Sequence, residues 1–522
     1  MSRAAVAAAL AAVLGVANAG APRAAGAPWS EGIPVRSPTA VGMSAERLAA
    51  VDRVVLSGIA AGGFPGAAVV VGRDGYAVVK RGYGRLTWAD DAPAVTDQSV
   101  YDLASLTKVV ATTSAIMILY DDGLVDLDAP VSRYLPEFTG GGRERVTVRH
   151  LLAHRSGLPA GRDLWRSART PAEARRQVLE SRLVCPPGAC FEYSDLGADV
   201  LGFVAEAVSG EPLDRFVAAQ VFEPLGMNDT GFRPPASQRA RTAPTEVAPP
   251  RGYPLRGEVH DENAYALGGV AGHAGLFSTA ADMSIFAQTL LNGGAYRGER
   301  VFADSTVRLF TRRAGWGGPG QSRALGWDTC NGGGSCGRLM GPTSFGHTGF
   351  TGTSLWLDPE RRMFVLLLTN RVYEARAARP ARVIGDVRAD LADAAELAIT
   401  DDPAGVPAMP AAFRADAEAG WHRAPAEAEE RVAPRRERVA RSTRAARSAR
   451  AARKARAAKS ARAAKSGRSA KSAKVAKAAN ASKATKSAAS AKAAKAAKGA
   501  TKTRSTASTK AKAATRPGKS KR

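Results

Sequence analysis

The last 92 residues of this 522-residue chain cannot build a core, which confines folding to what precedes them. Residues 431–522 carry 31 Lys/Arg against one acidic residue, Glu437, with Ala and Ser filling most of the rest. Alanine favours helix, but a segment with a balance of +30 and no apolar stripe repels itself and buries nothing. It is expected to be disordered alone. The first 430 residues hold 43 Lys/Arg and 47 Asp/Glu, so the formal +26 of the whole chain belongs to the tail. The globular part is near neutral and has no basic signature of its own.

The other end reads as a targeting segment. Arg3 is the only charge before an apolar run, Ala4 to Val16, that closes on Ala17-Asn18-Ala19. A basic start, an apolar stretch and an A-x-A site predict a signal peptide over residues 1–19 and export to the periplasm or medium. The run is shorter than the ~20 residues a spanning helix needs, and no second long apolar run predicts a transmembrane segment. Four cysteines form two local pairs, Cys185/Cys190 in CPPGAC and Cys330/Cys336 in CNGGGSC. Export favours two disulfides closing short loops. The rival, one zinc site made from all four, lacks the two-residue spacing common in such sites.

Residues 20–39 are rich in Ala, Gly and Pro and read as a linker. A helical pattern starts at Ser44, and two β-rich runs flank Arg73-Asp74-Gly75, a hairpin signal. Helical patterns dominate from Leu106 to about Leu290. Strand character returns in SFGHTGFTGTSLWLDPERRMFVLLLTNR, with a turn at Asp358-Pro359-Glu360, and a helical pattern from Ala381 to Ile399 closes the globular part. The expected fold is α+β. One antiparallel sheet combines N- and C-terminal strands, flanked by helices, with a mostly helical region inserted between them. The domain is expected over residues 40–400, followed by a second linker over 401–430.

Ser105 and Lys108, in YDLASLTK, open an apolar helix, and their i, i+3 spacing puts amine and hydroxyl on one face. A serine hydroxyl needs an adjacent base to become a nucleophile. Lysine serves as that base if burial lowers its pKa. In residues 1–430 every cationic side chain except Lys80 and Lys108 is arginine. Arginine cannot lose its proton, so a chain that otherwise writes positive charge as Arg has placed a titratable amine beside Ser105.

Two further motifs follow, Tyr193-Ser194-Asp195 and His347-Thr348-Gly349. With the serine motif they resemble the serine β-lactamase and penicillin-binding-protein superfamily, in its class C-like branch of D-alanyl-D-alanine carboxypeptidase and esterase relatives. The stretches VTVRHLLAHRSGLP, FVAAQVFEPLGMNDTGF and GGVAGHAGLFSTAADMSIFAQTLL look like the same family, and the likeness spans about residues 40–400. GEVHDENA resembles members that act on cell-wall fragments or esters. The resemblance implies Ser105 as nucleophile, Lys108 and Tyr193 as its proton-handling partners, and Asp195, His347, Thr348, Gly349 and Phe350 around the substrate. The N–H groups of Ser105 and Phe350 would form the oxyanion hole. No cofactor or metal is implied.

Two departures bear on substrate. Asp195 stands where β-lactam-hydrolysing relatives often have Asn, and an acid there keeps Lys108 protonated and repels a substrate carboxylate. His347 replaces a permanent cation with a pH-dependent one. His150 and His154, at i, i+4, lack a third metal ligand and read as structural, as do His260 and His273. Thr279-Ala-Ala-Asp282 reads as a helix start rather than part of a phosphate loop. The leading expectation is an exported acyl-enzyme hydrolase acting on a peptidoglycan-type peptide amide or a small ester. A β-lactamase, or a penicillin-binding protein that stays acylated, is the nearest alternative. A polyanion-binding protein working through its tail, on envelope polymers or nucleic acid, is the third.

Overall fold

Asp74 and Gly75 form the turn anticipated between the first two strands, both in the left-handed region at φ 52° and 86°, as a tight hairpin requires. The turn joins β1 (Gly66–Arg73) to β2 (Tyr76–Gly84). The computed structural model describes residues 30–316, 323–374, 381–402, 405, 408–410 and 412–414. On its other edge β1 pairs antiparallel with β11 (Met363–Thr369), Ala67 lying opposite Thr369 and Arg73 opposite Met363. β10 (Ser354–Asp358), β9 (Phe345–Thr348) and β8 (Asp328–Thr329) continue the sheet in the order β2-β1-β11-β10-β9-β8. Strands from the two ends of the domain thus share one antiparallel sheet, the α+β arrangement expected.

Both faces of the sheet are covered, so its central strands β1 and β11 are buried at every position and largely apolar. Val69, Val71, Val365 and Leu367 point to one side, against Val51 and Val54 of α1 (Ala45–Ala60) and Val387 and Leu391 of α5 (Ala381–Glu396). Ala68, Val70, Leu366 and Leu368 point to the other and join the larger core of the helical region. That core takes in α2 (Ser114–Asp121), α3 (Asp195–Ser209) and α4 (Ala280–Leu291). α3 and α4 start where side-chain caps dictate: Ser194 Oγ accepts from Gly197 N, and Thr279 Oγ1 from Asp282 N.

Three features differ from the sequence reading. The helical region contains a small sheet, β3 (Tyr101–Asp102) and β4 (Gly231–Phe232) on either side of β5 (Leu276–Ser278), besides the short hairpin β6 (Ala295–Tyr296) and β7 (Glu299–Arg300). Strands of two or three residues leave no period-2 signal to read. Residues 30–39, placed in the first linker, pack on the domain: Ile33 is fully buried, its N–H donating to Ser284 Oγ, and Arg36 N donates to Ala77 O. Beyond residue 400, Phe413 is buried and Arg414 pairs with Asp390 and Asp393, so the domain reaches past the expected boundary. Both disulfides, Cys185–Cys190 and Cys330–Cys336, are present. No helix among the described residues is long and apolar enough to cross a membrane. The proposed signal peptide and the basic tail lie outside the described residues.

Candidate active site

The Ser105 segment is pinned from three sides before any catalytic group is considered. β3 leads into a tight 3-10 turn, Ala104–Leu106, and Ala104 adopts φ 47°, left-handed for a residue with a Cβ. Strain of this kind persists only where the surroundings over-determine it. Here Asp102, itself buried, accepts from Ala104 N (2.8 Å) and His260 N (2.7 Å). Leu103 N donates to Leu276 O, while Thr351 and Thr353 hydroxyls donate to the carbonyls of Asp102 and Leu103. Burial pushes the Asp102 carboxyl up, and these N–H donors act against it.

The chain then winds widely, with six residues of π-helix, Lys108–Thr113, ahead of α2. Such wide turns gather at functional sites. Lys108 is sealed, its side chain 3% exposed, and its ammonium donates to Ser105 Oγ (2.9 Å) and His273 O (3.1 Å). A third acceptor, Asp195 Oδ1, lies 2.8 Å away in the first turn of α3. Burial alone would pull the amine down, as the sequence reading expected. The Asp195 carboxylate and the Tyr193 phenol together outweigh it, and the net displacement is upward. The expected lowered lysine is therefore reversed: Lys108 rests as a cation.

Tyr193 lies beside it, with the Lys108 ammonium 5.0 Å from the ring centroid. A second cation, the Arg323 guanidinium, is 5.2 Å from the same centroid. His154 packs on the ring at 4.6 Å, and its Nδ1 accepts from Ser194 N (3.0 Å), which ties the Tyr-Ser-Asp motif to the turn after the short helix Val148–Leu152. His150 accepts from Thr147 N in a reciprocal helix cap. Each of these two histidines thus accepts a backbone N–H through its Nδ1.

His347 sits on β9 with its ring 6.0 Å from that of Tyr193. Its Nδ1 lies 2.9 Å from Thr348 O, and its buried Nε2 has no hydrogen-bond partner. Burial, then Arg323 and Lys108, hold it well below the ordinary histidine range. It is neutral, and the pH-dependent cation expected at this position is absent because burial, reinforced by the two cations that face it, disfavours a charge on the ring. Gly349 follows where only glycine fits: an added Cβ would fall 2.1 Å from Thr353 Oγ1 and 2.4 Å from Leu103 O. This close approach brings the Gly349–Thr353 loop against the Ser105 turn. Phe350, half-exposed at the loop tip, stacks on His260.

Ser105, Lys108, Tyr193 and Asp195 are thus gathered by direct contacts, with His347, Thr348, Gly349 and Phe350 along the adjoining strand and loop. Sequence reasoning missed the residues that hold them. His273 is clamped between Asp199 Oδ1 (2.7 Å) and Asp261 Oδ1 (2.9 Å) while its carbonyl receives Lys108. Burial opposes a charge on the His273 ring, but the two carboxylates win and raise it well above the usual range. Arg323, Arg371 and Arg388 were likewise indistinguishable from the chain's many other arginines. Proximity of His273 to a motif was the one available signal. Among the described residues no cluster of His, Cys, Asp or Glu is arranged to hold a metal.

Residues 51–389 match the family described as Beta-lactamase. A Salmonella schwarzengrund (strain CVM19633) protein named "Putative D-alanyl-D-alanine carboxypeptidase" is 34% identical over 376 residues, 64% of this chain and 85% of that protein. Among solved structures, a penicillin-binding-protein homologue from Caulobacter crescentus superposes with a TM-score of 0.54 at 22% identity, covering 68% of this chain and 98% of the other. A family VIII carboxylesterase gives 0.52 at 23% identity, covering 68% and 98%. These two structures show the same fold.

Proposed function

The chain belongs to the Beta-lactamase family and is a serine hydrolase, and from that premise we propose that it is exported and cleaves a cell-wall peptide amide through an acyl-enzyme at Ser105. The observation that carries the reading is the contact of a sealed ammonium with the nucleophile, Lys108 Nζ to Ser105 Oγ at 2.9 Å. Because Lys108 rests charged, its part is to stabilise negative charge growing on Oγ. The serine proton is relayed through the Tyr193 hydroxyl, whose ring lies beside two cations, toward the leaving group. Oγ attacks the substrate carbonyl, whose electron pair moves onto oxygen and is received by the N–H groups of Ser105 and Phe350. Collapse of that intermediate expels the amine, which takes the proton from Tyr193. Water repeats the sequence to release the acid and free Ser105.

The relative named as a carboxypeptidase supports a D-alanyl-D-alanine end as substrate. A specific observation favours a second reading, a small ester: Lys108 is already paired with Asp195 and His347 is neutral, so little unpaired positive charge meets a substrate carboxylate. The A-x-A leader and both disulfides support an oxidising, extracytoplasmic location. Intact mass after a fluorophosphonate, a penicillin or a p-nitrophenyl ester, beside D-alanine release from a D-Ala-D-Ala peptide, tests the reading. The expected result is one adduct per chain, lost in Ser105→Ala, with D-alanine released. Ester turnover without D-alanine release selects the second reading, and an unlabelled wild-type chain refutes both.

A further inference from the structure

Beneath the loop that follows Gly349, one arginine of α5 is placed unlike its neighbours. On that helix, Arg382 pairs with Asp386, and Arg414, further along the chain, pairs with Asp390 and Asp393. Arg388 pairs with no carboxylate among the described residues. Its Nη2 instead donates to two backbone carbonyls, Gly349 O at 2.6 Å and Thr353 O at 2.9 Å, and its Nε is sealed with no partner. Burial, and then the like charge of Arg371, pull the guanidinium down to about 9, which leaves it charged at neutral pH. A partly buried cation with no carboxylate partner is held here by backbone carbonyls instead, which costs desolvation that those two hydrogen bonds offset.

The two carbonyls are not equivalent. Gly349 O belongs to the same peptide unit as Phe350 N–H, the second oxyanion donor in the mechanism above. The loop around it is tightly set: Gly349 N donates to Thr353 O at 2.7 Å, and Arg371 Nε donates to Phe350 O at 2.9 Å. A hydrogen bond accepted by an amide carbonyl draws electron density from its nitrogen and strengthens the N–H as a donor.

We propose that Arg388 is a positioning residue for the oxyanion hole, polarising the Gly349–Phe350 peptide through its carbonyl while clamping the loop at Thr353. As Ser105 Oγ bonds to the substrate carbon, the carbonyl pair moves onto oxygen and the Phe350 N–H meets it. A permanent charge behind that peptide favours this developing anion over the neutral ground state, so its contribution falls on kcat rather than KM. The proposal rests on the acyl-enzyme reading.

The test uses the full chain with Arg388→Gln, which keeps an amide donor but loses the charge, and Arg388→Lys, which keeps the charge. Turnover of p-nitrophenyl acetate is measured beside inhibition by phenylboronic acid, whose boron accepts Ser105 Oγ and becomes a tetrahedral anion. In Arg388→Gln, kcat is expected to fall about tenfold to a hundredfold, with KM little changed and the boronic acid weakened by the same factor. Arg388→Lys is expected to recover most of both. Unchanged kcat and boronic acid affinity in Arg388→Gln overturn the proposal, as does a rise in KM alone. If Arg388→Gln fails to fold, Arg388→Lys decides: wild-type KM with a modest, matched loss of kcat and boronic acid affinity supports it, and matched loss of KM overturns it. A wild-type chain that takes no fluorophosphonate at Ser105 overturns the acyl-enzyme reading and this proposal together, whereas a labelled wild type with an indifferent Arg388 overturns this proposal alone.

Discussion

The ammonium of Lys108 lies 2.8 Å from a carboxylate oxygen of Asp195, a residue 87 positions further along the chain, and this contact decides the charge of the catalytic lysine. Burial pulls the amine down and Asp195 with Tyr193 pulls it up, so replacing the acid lets burial prevail. In Asp195→Asn the alkaline limb of kcat/KM for a p-nitrophenyl ester should move to lower pH, by about one unit or more. If the limb stays in place, or activity rises across the alkaline range, the charged resting lysine is refuted. The same variant should be acylated faster by a penicillin near neutral pH, because a negative charge leaves the path of its carboxylate. Stopped-flow acylation of both proteins checks this.

Lys108→Arg keeps the charge and should still lose most activity. Ser105 Oγ, His273 O and Asp195 Oδ1 converge within 3.1 Å on a single nitrogen in a sealed slot. A planar guanidinium presents its donors in a rigid fork and cannot meet three acceptors gathered about one point. The expected loss is about a hundredfold in kcat, comparable to removing an oxyanion donor. Activity within threefold of wild type would show that charge alone suffices.

The stability that His154 and His347 contribute should fall as pH drops from 7 to 5, while the buried Asp282 and Glu396 carboxyls, both raised by burial, act in the opposite sense. His154 and His347 are held well below the ordinary range, chiefly by burial, so they stay neutral in the fold. The unfolded chain protonates both below about 6.5. Their contribution is therefore complete above that pH and is lost as pH falls toward their folded values, at about 1.4 kcal/mol per pH unit for each. His273 has the opposite sign. Its raised folded value gives stability that is complete below about 6.5 and lost only as pH rises through that value. The Tm difference between pH 7 and pH 5 should be less unfavourable to the low-pH state in His347→Gln than in wild type, and an identical difference would contradict a neutral His347.

Gly349→Ala should reduce turnover by at least about tenfold, since a displaced oxyanion donor costs that much or more. The added Cβ would meet Leu103 O, a backbone atom of the nucleophile turn, at 2.4 Å. Gly161→Ala is the control, because nothing lies within 4 Å of its Cβ. Surface changes of that kind stay within about 0.5 kcal/mol. Equal activity of the two variants, compared by ester turnover at matched Tm, would show that the loop tolerates displacement.

Deleting residues 431–522 should leave ester turnover unchanged and abolish retention on heparin at moderate salt. The motive is the segregation of charge, +30 in the tail against −4 in the rest. Contacts with a polyanion release counterions, so retention of the full chain should fall steeply as salt rises. A truncated chain that still binds heparin, or loses turnover, refutes an independent electrostatic tail.

What the sequence by itself determined is what short stretches of chain decide. Ser105 and Lys108 are three residues apart, and one helical turn brings them together however the rest folds. Asp74-Gly75 makes its hairpin because both positions need left-handed backbone, and Cys185–Cys190 and Cys330–Cys336 close because their partners are five and six residues away. Ser194 and Thr279 start helices through their own side chains. Apolar runs near both ends were enough to place the strands of one sheet. The tertiary structure alone decided the charge states. Whether Lys108 rests charged depends on burial set against Asp195, and whether His347 is neutral depends on burial together with Arg323 and Lys108. It also decided that Arg388, one arginine among many, lies under the Gly349 carbonyl, and that residues 30–39 pack as part of the domain. Local backbone preference acts over a few residues, whereas desolvation and charge act through space between segments that only the packed fold brings together.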